Sequence, residues 1–168
     1  MDDHVQFEVV HEGREVRHGF EPFVASFEAI LGRFDPEVQA DFDKEPAVAT
    51  ARLERMAGEQ GLMLFATQDH GALLGLLGRA RNAKRYYVGN PLIALQMTQH
   101  DIRAGLYAPL SVLVYEKDPS TVRVEFDRPS SLFGQFGNAA VTKVAVELDK
   151  KLENLIAKAS SLTKQATG

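Results

Sequence analysis

Short segments in which apolar and polar residues alternate predict the strands of this chain. Val5, Phe7 and Val9 share one side at the strand period of two, which predicts a half-buried strand over residues 5–10. The run Leu62–Ala66 is continuously apolar and too short for a helix, as expected for a strand covered on both faces or at the centre of a sheet. Three further strands are predicted over residues 85–88, 110–115 and 122–126.

Other segments repeat their apolar residues every three or four positions, which predicts helices. The clearest helix follows Asn138, because Val141, Leu148 and Leu152 lie on one stripe while lysines face the opposite side. This pattern is lost beyond Ser160, so residues 160–168 are expected to fray. Shorter helices are predicted over about residues 22–34, 46–60, 72–77 and 91–100.

The mixture of hairpins and helices predicts an α+β fold. The connection Lys117–Thr121 has the length and turn residues of an antiparallel hairpin. We therefore expect a mostly antiparallel sheet of about five strands with helices packed on one face, which is a two-layer sandwich. A doubly wound nucleotide-binding fold is disfavoured, because Gly71, Gly75 and Gly78 do not link a strand to a helix.

Composition narrows the classes of protein and partner. With 168 residues, of which 45% are hydrophobic, the chain suits a single domain over residues 1–168. A formal net charge of -4 gives no general attraction to nucleic acid or anionic membrane. The chain contains no cysteine, which excludes thiolate metal sites and a cysteine nucleophile. Neither a secretion signal at Met1–His4 nor an apolar run of roughly 20 residues is present, so a cytoplasmic location is the expectation.

Five motifs together carry a resemblance to a known family. They are Gly61–Phe65, Asp69–Gly71, Gly89–Ile93, Ala104–Pro109 and Phe126–Ser131. Through their order and spacing, over roughly residues 23–155, the chain resembles the family called domain of unknown function 302. The resemblance implies a compact α/β domain that is often dimeric, and it implies no activity. Some relatives carry a Pro-Cys pair where this chain has Ala108-Pro109-Leu110, so any thiol chemistry of that branch cannot operate here.

Three polar motifs are predicted to follow strands: Asp69–Gly71, Gly89–Pro91 and Asp127–Ser131. If these strand ends share one edge of the sheet, their side chains and free backbone N–H groups would form a pocket for a small anionic or partly apolar ligand. The residues assigned to ligand binding are Asp69, Gly71, Asn90, Tyr107, Arg128 and Ser131. Capping and turn bonds alone also account for Asp69, Asn90 and Ser131.

The leading hypothesis is therefore a ligand-binding domain, expected to be a homodimer, with no cofactor. An alternative is an enzyme in which His70 acts as acid or base, with Asp127 or Arg128 positioning an anionic substrate. A third is a haem or metal site at His70 or His100, although no paired-histidine spacing supports it. His11 is expected to be a surface residue, and the basic run Arg79–Arg85 is expected to be a solvated loop.

Overall fold

The strands of this computed structural model, which describes residues 4–166, form one six-stranded sheet. They are β1 His11–Val16, β2 Gly32–Arg33, β3 Met63–Asp69, β4 Ala83–Gly89, β5 Leu110–Asp118 and β6 Thr121–Asp127. Their order across the sheet is β1-β6-β5-β4-β3-β2, and every neighbouring pair is antiparallel except β2 with β3. The predicted α+β class, with a mostly antiparallel sheet in a two-layer sandwich, is confirmed.

Residues 4–166 form six helices, and all but the third of them cover one face of this sheet. They are α1 Phe20–Ala29, α2 Pro46–Met56, α3 His70–Leu73, α4 Pro91–Thr98, α5 Pro129–Gly134 and α6 Ala139–Ala166. The 3-10 turns are Pro36–Asp41, Glu59–Gly61, Leu74–Leu77 and Ile102–Tyr107. Helices α1, α4 and α5 all pack against α6, and α1 also contacts β5 and β6. No helix among residues 4–166 combines the length and hydropathy needed to cross a bilayer.

Alternation along the central strands gives the sheet one buried and one open face. Val112, Val114 and Val124 are fully buried under the helices. The residues that alternate with them along each strand point to the other face and remain partly or fully exposed, as Ser111 and Tyr115 do. The open face is therefore lined by polar side chains, and α3 lies at its rim because His70 and Leu73 border the same hollow as these strands.

Helix α6 extends further than its sequence pattern predicts. It continues to Ala166, so the predicted fraying from Ser160 is wrong for residues 160–166. Thr163 is only 1% exposed and its hydroxyl donates to the Ala159 carbonyl at 2.8 Å. His18 forms a 3.0 Å hydrogen bond with the Ser160 carbonyl, which ties this turn to the chain between β1 and α1. Residues 167 and 168 of the predicted tail, and residues 1–3 at the predicted signal-free start, lie outside the described residues.

The predicted strand at residues 5–10 is wrong, because the first strand is β1. β1 pairs with β6 along its whole length, and the last pair at this end is His11 with Asp127. β6 ends at Asp127, because α5 begins two residues later. The chain before His11 therefore has no continuing strand to pair with, and Val5 and Val9 are 61% and 41% exposed. The predicted first helix is also too long, since Gly32 joins the sheet as part of β2.

Candidate functional site

The open face of the sheet carries a groove of about 760 Å³. Strands β1, β4, β5 and β6 form its floor, and α3 with the turn after it forms one wall. We call this hollow the groove, and its lining residues are His11, His70, Leu73, Leu74, Arg81, Ala83, Arg85, Ser111, Leu113, Tyr115, Glu125, Phe126 and Asp127. The two residues predicted to be catalytic, His70 and Asp127, therefore border the same hollow.

His11 bridges two carboxylates at one end of the groove. Its Nδ1 lies 2.8 Å from Asp127 Oδ1, and its Nε2 lies 2.8 Å from Glu125 Oε2. These bonds, first to Asp127 and then to Glu125, raise the pKa of His11 above its usual value. The imidazole is 61% exposed, so it is accessible to a molecule in the groove. The two carboxylates thus favour the protonated form of His11, which partly neutralises them.

Glu125 is the most enclosed charge at this end, with a side chain that is 14% exposed. Burial raises the pKa of this carboxyl, but bonds from Arg123, His11 and Tyr115 outweigh burial and hold it below its usual value. Arg123 donates from Nε and Tyr115 donates its hydroxyl at 3.2 Å, both to Glu125 Oε1. Glu125 is therefore ionised and fully occupied by partners within the protein.

Two arginines at the other side of the groove have no such partner. Arg85 donates to the Ser111 hydroxyl at 2.7 Å and its guanidinium lies 4.7 Å from the Tyr87 ring centroid. Arg81 donates to the Glu116 carbonyl at 2.8 Å and lies 5.6 Å from the Tyr115 ring centroid. Within residues 4–166 neither guanidinium forms an ion pair with a carboxylate. The groove therefore has positive charge that the protein does not neutralise.

Three predicted binding residues instead complete local backbone structure. Asp69 caps α3 by accepting from the Ala72 N–H at 2.7 Å. Asn90 caps α4 by accepting from the Leu92 N–H at 2.8 Å, and it also donates to the Gly61 carbonyl at 2.7 Å. The Ser131 hydroxyl accepts from the Val10 N–H at 3.0 Å and donates to the Arg128 carbonyl at 2.7 Å. Capping accounts for Asp69 and Asn90, as one of the two sequence interpretations had it, whereas Ser131 joins the start of α5 to the segment before β1.

The other three residues predicted to bind a ligand also make contacts that stabilise the fold. They are Gly71, Arg128 and Tyr107. Gly71 is buried where α3 approaches β4, and a Cβ there would lie 1.9 Å from the Arg81 carbonyl oxygen. Arg128 pairs with Glu12 and with Glu153 of α6 on the helix side of the sheet. Tyr107 packs edge-on against Phe7 and Phe133 at 6.4 and 6.1 Å between ring centroids. None of the three lines the groove.

The predicted single pocket is therefore not formed. His70 and Asp127 line the groove, whereas Asn90 lines a separate apolar cavity on the helix side, and Tyr107 and Arg128 line neither. The reason is that β3 runs opposite to β4 and β6, so Asp69 lies at the other edge of the sheet from Asn90 and Asp127. Asn90 and Asp127 in turn border hollows on different faces of the sheet. His70 and His100 likewise border different hollows. In residues 4–166 no group of three or more histidine and carboxylate side chains is placed to hold a metal ion.

Sequence reasoning missed His11, Arg81 and Arg85 as site residues. Arg85 belongs to β4, which begins at Ala83 inside the segment predicted to be a loop. The signal that was available is the alternation of Glu125 and Asp127 with buried Val124 and Phe126, which marks a charged open face on β6. The pairing of β1 with β6, which brings His11 to that face, has no local signal.

Comparison with known proteins identifies a family and a fold. Residues 34–159 match the family model described as domain of unknown function DUF302. A crystal structure of an uncharacterized conserved protein DUF302 from Bacillus stearothermophilus is similar, with a TM-score of 0.63 over 89% of this chain and 97% of that chain. Its sequence identity of 16% means that this likeness shows the fold alone. No curated protein matches the chain.

Proposed function

Since this chain belongs to the family of domain of unknown function DUF302, whose description assigns no activity, we propose a function from the geometry. The domain binds a small amphipathic anion in the groove on the open face of its sheet. The observation that carries this proposal is the pair of guanidinium groups, on Arg81 and Arg85, that border the groove without a carboxylate partner in residues 4–166.

The positive side of the groove suits a carboxylate or phosphate group. Arg85 keeps N–H donors beyond the one used by Ser111, and Arg81 keeps donors beyond the one used by Glu116. Guanidinium groups bind such anions through paired, charge-assisted hydrogen bonds. The arginines of the helix side differ, because Arg128 already has Glu12 and Glu153. An anionic ligand therefore supplies the counter-charge that Arg81 and Arg85 lack.

Other residues of the groove suit an apolar body. Leu73 and Leu74 belong to the wall formed by α3 and the turn after it, and Leu113 lies on the groove floor. Leu73 is 59% exposed, so a hydrocarbon chain that covered it would remove apolar surface from water. The groove volume of about 760 Å³ lies within the range of small-molecule sites. These features support a ligand with one anionic group and a short apolar chain.

Titration with hexanoate, hexyl phosphate and the neutral hexanamide tests this proposal. The two anions should raise the melting temperature, since a ligand that binds only the folded state stabilises it. Arg85→Gln should weaken binding by about tenfold or more, which is the effect of losing one charge-assisted hydrogen bond. Arg79→Gln is the matched control, because Arg79 is exposed and does not line the groove. Equal binding of hexanamide, or equal loss in both variants, would refute the proposal.

Acid–base catalysis in the same groove is a second candidate function. His70 and the paired side chains of His11 and Asp127 border one hollow, with 2.8 Å between His11 Nδ1 and Asp127 Oδ1. An imidazole oriented by a carboxylate is a common acid–base arrangement. Under this proposal His70→Ala or His11→Gln abolishes turnover of a six-carbon ester or phosphate ester but leaves hexanoate binding within threefold. Turnover that survives both changes would remove this candidate.

A homodimer is also part of the proposal. Leu76 and Leu77, in the turn after α3, are 84% and 69% exposed and do not line the groove. Neighbouring exposed leucines favour association, because their burial removes apolar surface from water. Analytical ultracentrifugation should show a dimer that Leu76→Glu converts to a monomer. Leu95→Glu, at an exposed position of α4, should leave the dimer intact. A monomeric wild-type protein would contradict this part alone.

A further inference from the structure

The apolar cavity on the helix side of the sheet is distinct from the groove. Helix α4 forms one wall with Ile93, Ala94 and Met97, which share one side of the helix at spacings of three and four residues. The rings of Phe34 and Phe65 stack at 4.3 Å between centroids and form a second wall. The cavity volume is about 200 Å³.

Polar groups in these walls are already used or lie at the entrance. Among residues 4–166 no charged residue lines the cavity, and Gln39 and Asn90 carry its side-chain amides. The Asn90 amide accepts from the Leu92 N–H at 2.8 Å and donates to the Gly61 carbonyl at 2.7 Å. Gln39 is exposed, as is Phe42 at 44%, so both lie toward solvent. A ligand inside would therefore find apolar contacts and few free hydrogen-bonding groups.

We propose that this cavity binds a small, neutral, apolar molecule of about the size of one aromatic ring. An apolar cavity on the order of 150 Å³ accepts benzene and stays dry when empty, so about 200 Å³ is sufficient for a ring with a methyl substituent. A charged group would lose its hydration here without gaining a partner. The flat faces of Phe34 and Phe65 and the flexible side chain of Met97 suit an aromatic guest. The proposal does not depend on the function assigned to the groove.

The experiment follows methyl NMR signals while toluene is added to the full-length protein. Ile93, Met97 and Leu148 report on the cavity, whereas Leu73, Leu74 and Leu113 report on the groove. Toluene should shift the cavity methyls in a saturable way, with a dissociation constant on the order of 1 mM, and leave the groove methyls unchanged. Benzoate, which adds a charge to the same ring, should not shift the cavity methyls.

Filling the cavity gives the second arm of the test. Ala94→Phe places a ring in the cavity and should weaken toluene binding by at least about tenfold. Leu95→Phe places a ring on the same helix at a position that is 57% exposed, and it should bind toluene as the wild type does. If Ala94→Phe does not fold, Ala108→Leu fills the cavity from another wall.

Three results would overturn the proposal. The first is the absence of a saturable shift at Ile93, Met97 and Leu148 in the wild type. The second is equal binding of toluene by the filled variant and by Leu95→Phe. The third is a shift of the cavity methyls by benzoate as large as that by toluene. A failure of hexanoate binding in the groove would leave these three measurements unaffected, so the two proposals are separable.

Discussion

Replacing Gly71 by alanine should either strain the packing of α3 against the sheet or detach α3, and in both cases disturb one wall of the groove. The backbone of α3 is so close to β4 that a Cβ on Gly71 would lie 1.9 Å from the Arg81 oxygen and 2.6 Å from the Ala83 nitrogen. Ordinary contact begins near 3.4 Å, so the two backbones would have to separate by about 1.5 Å. Both contacts are with backbone atoms, which a side-chain rotation cannot relieve.

This geometry sets the loss in the free energy of unfolding that Gly71→Ala should cause. Overpacking a close-packed site costs about 1–3 kcal/mol, and loss of the 3.3 Å bond from the Arg81 N–H to the Gly71 carbonyl adds about 1 kcal/mol. We therefore expect about 2–4 kcal/mol, unless α3 detaches at a lower cost. Gly75→Ala is the matched control, because a Cβ there meets only Ala80 Cβ at 3.9 Å. It should stabilise the protein by about 0.4–1 kcal/mol, as alanine restricts the unfolded chain.

Urea unfolding of the wild type and both variants measures these effects. With a slope of about 2 kcal/mol/M, the Gly71→Ala midpoint should fall by about 1–2 M if the strain is retained in the native state. If α3 detaches instead, the midpoint falls less, and amides of residues 70–77 exchange faster with solvent. In both cases hexanoate binding should weaken. A midpoint equal to that of Gly75→Ala, together with unchanged exchange, would refute the packing argument.

Three further predictions concern pH, the N-terminal segment and the core. Asp127 first, and then Glu125, raise the pKa of His11 in the folded protein. The wild type should therefore be more stable than His11→Gln at pH values below the unfolded pKa of about 6.5. The difference should be at most about 1 kcal/mol, because the ring is exposed. This advantage should disappear as the pH rises through the higher pKa of the folded state. Urea midpoints of both proteins at about pH 5.5 and 8.5 measure it, and the same difference between wild type and variant at both pH values would contradict the prediction. Ser131→Ala should cost about 1 kcal/mol, because it removes the hydroxyl that accepts a hydrogen bond from the Val10 N–H. Hydrogen exchange at the Val10 N–H should be faster in this variant than in the wild type, and an unchanged rate would contradict the prediction. Leu152→Ala in α6 should lower the free energy of unfolding by about 2–5 kcal/mol, because Leu152 is fully buried. Lys158→Ala, at an exposed position of the same helix, should change it by less than about 0.5 kcal/mol. Similar costs for the two variants would place Leu152 outside the core.

Elements with a buried face of their own could be predicted from the sequence. β5 and β6 were predictable because four valines repeat at the strand period and are buried in one core cluster with residues of α1 and α6. They are Val112, Val114, Val122 and Val124. The segment at residues 5–10 has the same period but fails, because a strand also needs a partner. That partner, β6, ends at Asp127, and the sequence around Val5 holds no information about where a strand more than a hundred residues away ends.

The residues of the candidate site likewise divide into those whose roles could be predicted from nearby sequence and those that depend on distant partners. Asp69, Asn90 and Ser131 have short-range capping or turn roles that follow from their side chains and local backbone, so one of the two sequence interpretations accounts for them. His11 could not be predicted, since its partners Asp127 and Glu125 are 116 and 114 residues away. Its position depends on the register of β1 against β6, and a slip of one residue would turn the imidazole to the buried face.

The two proposed sites illustrate how a one-sided sheet separates ligand chemistries. Leu110 lines the apolar cavity and Ser111, the next residue of β5, lines the groove, because successive side chains point to opposite faces. On the helix side an ionic group would be removed from water and from any charged partner, which opposes binding. On the open face it would keep much of its hydration and meet Arg81 and Arg85. The charge of a probe therefore discriminates between the two sites more strongly than its size, and toluene against benzoate is the informative comparison.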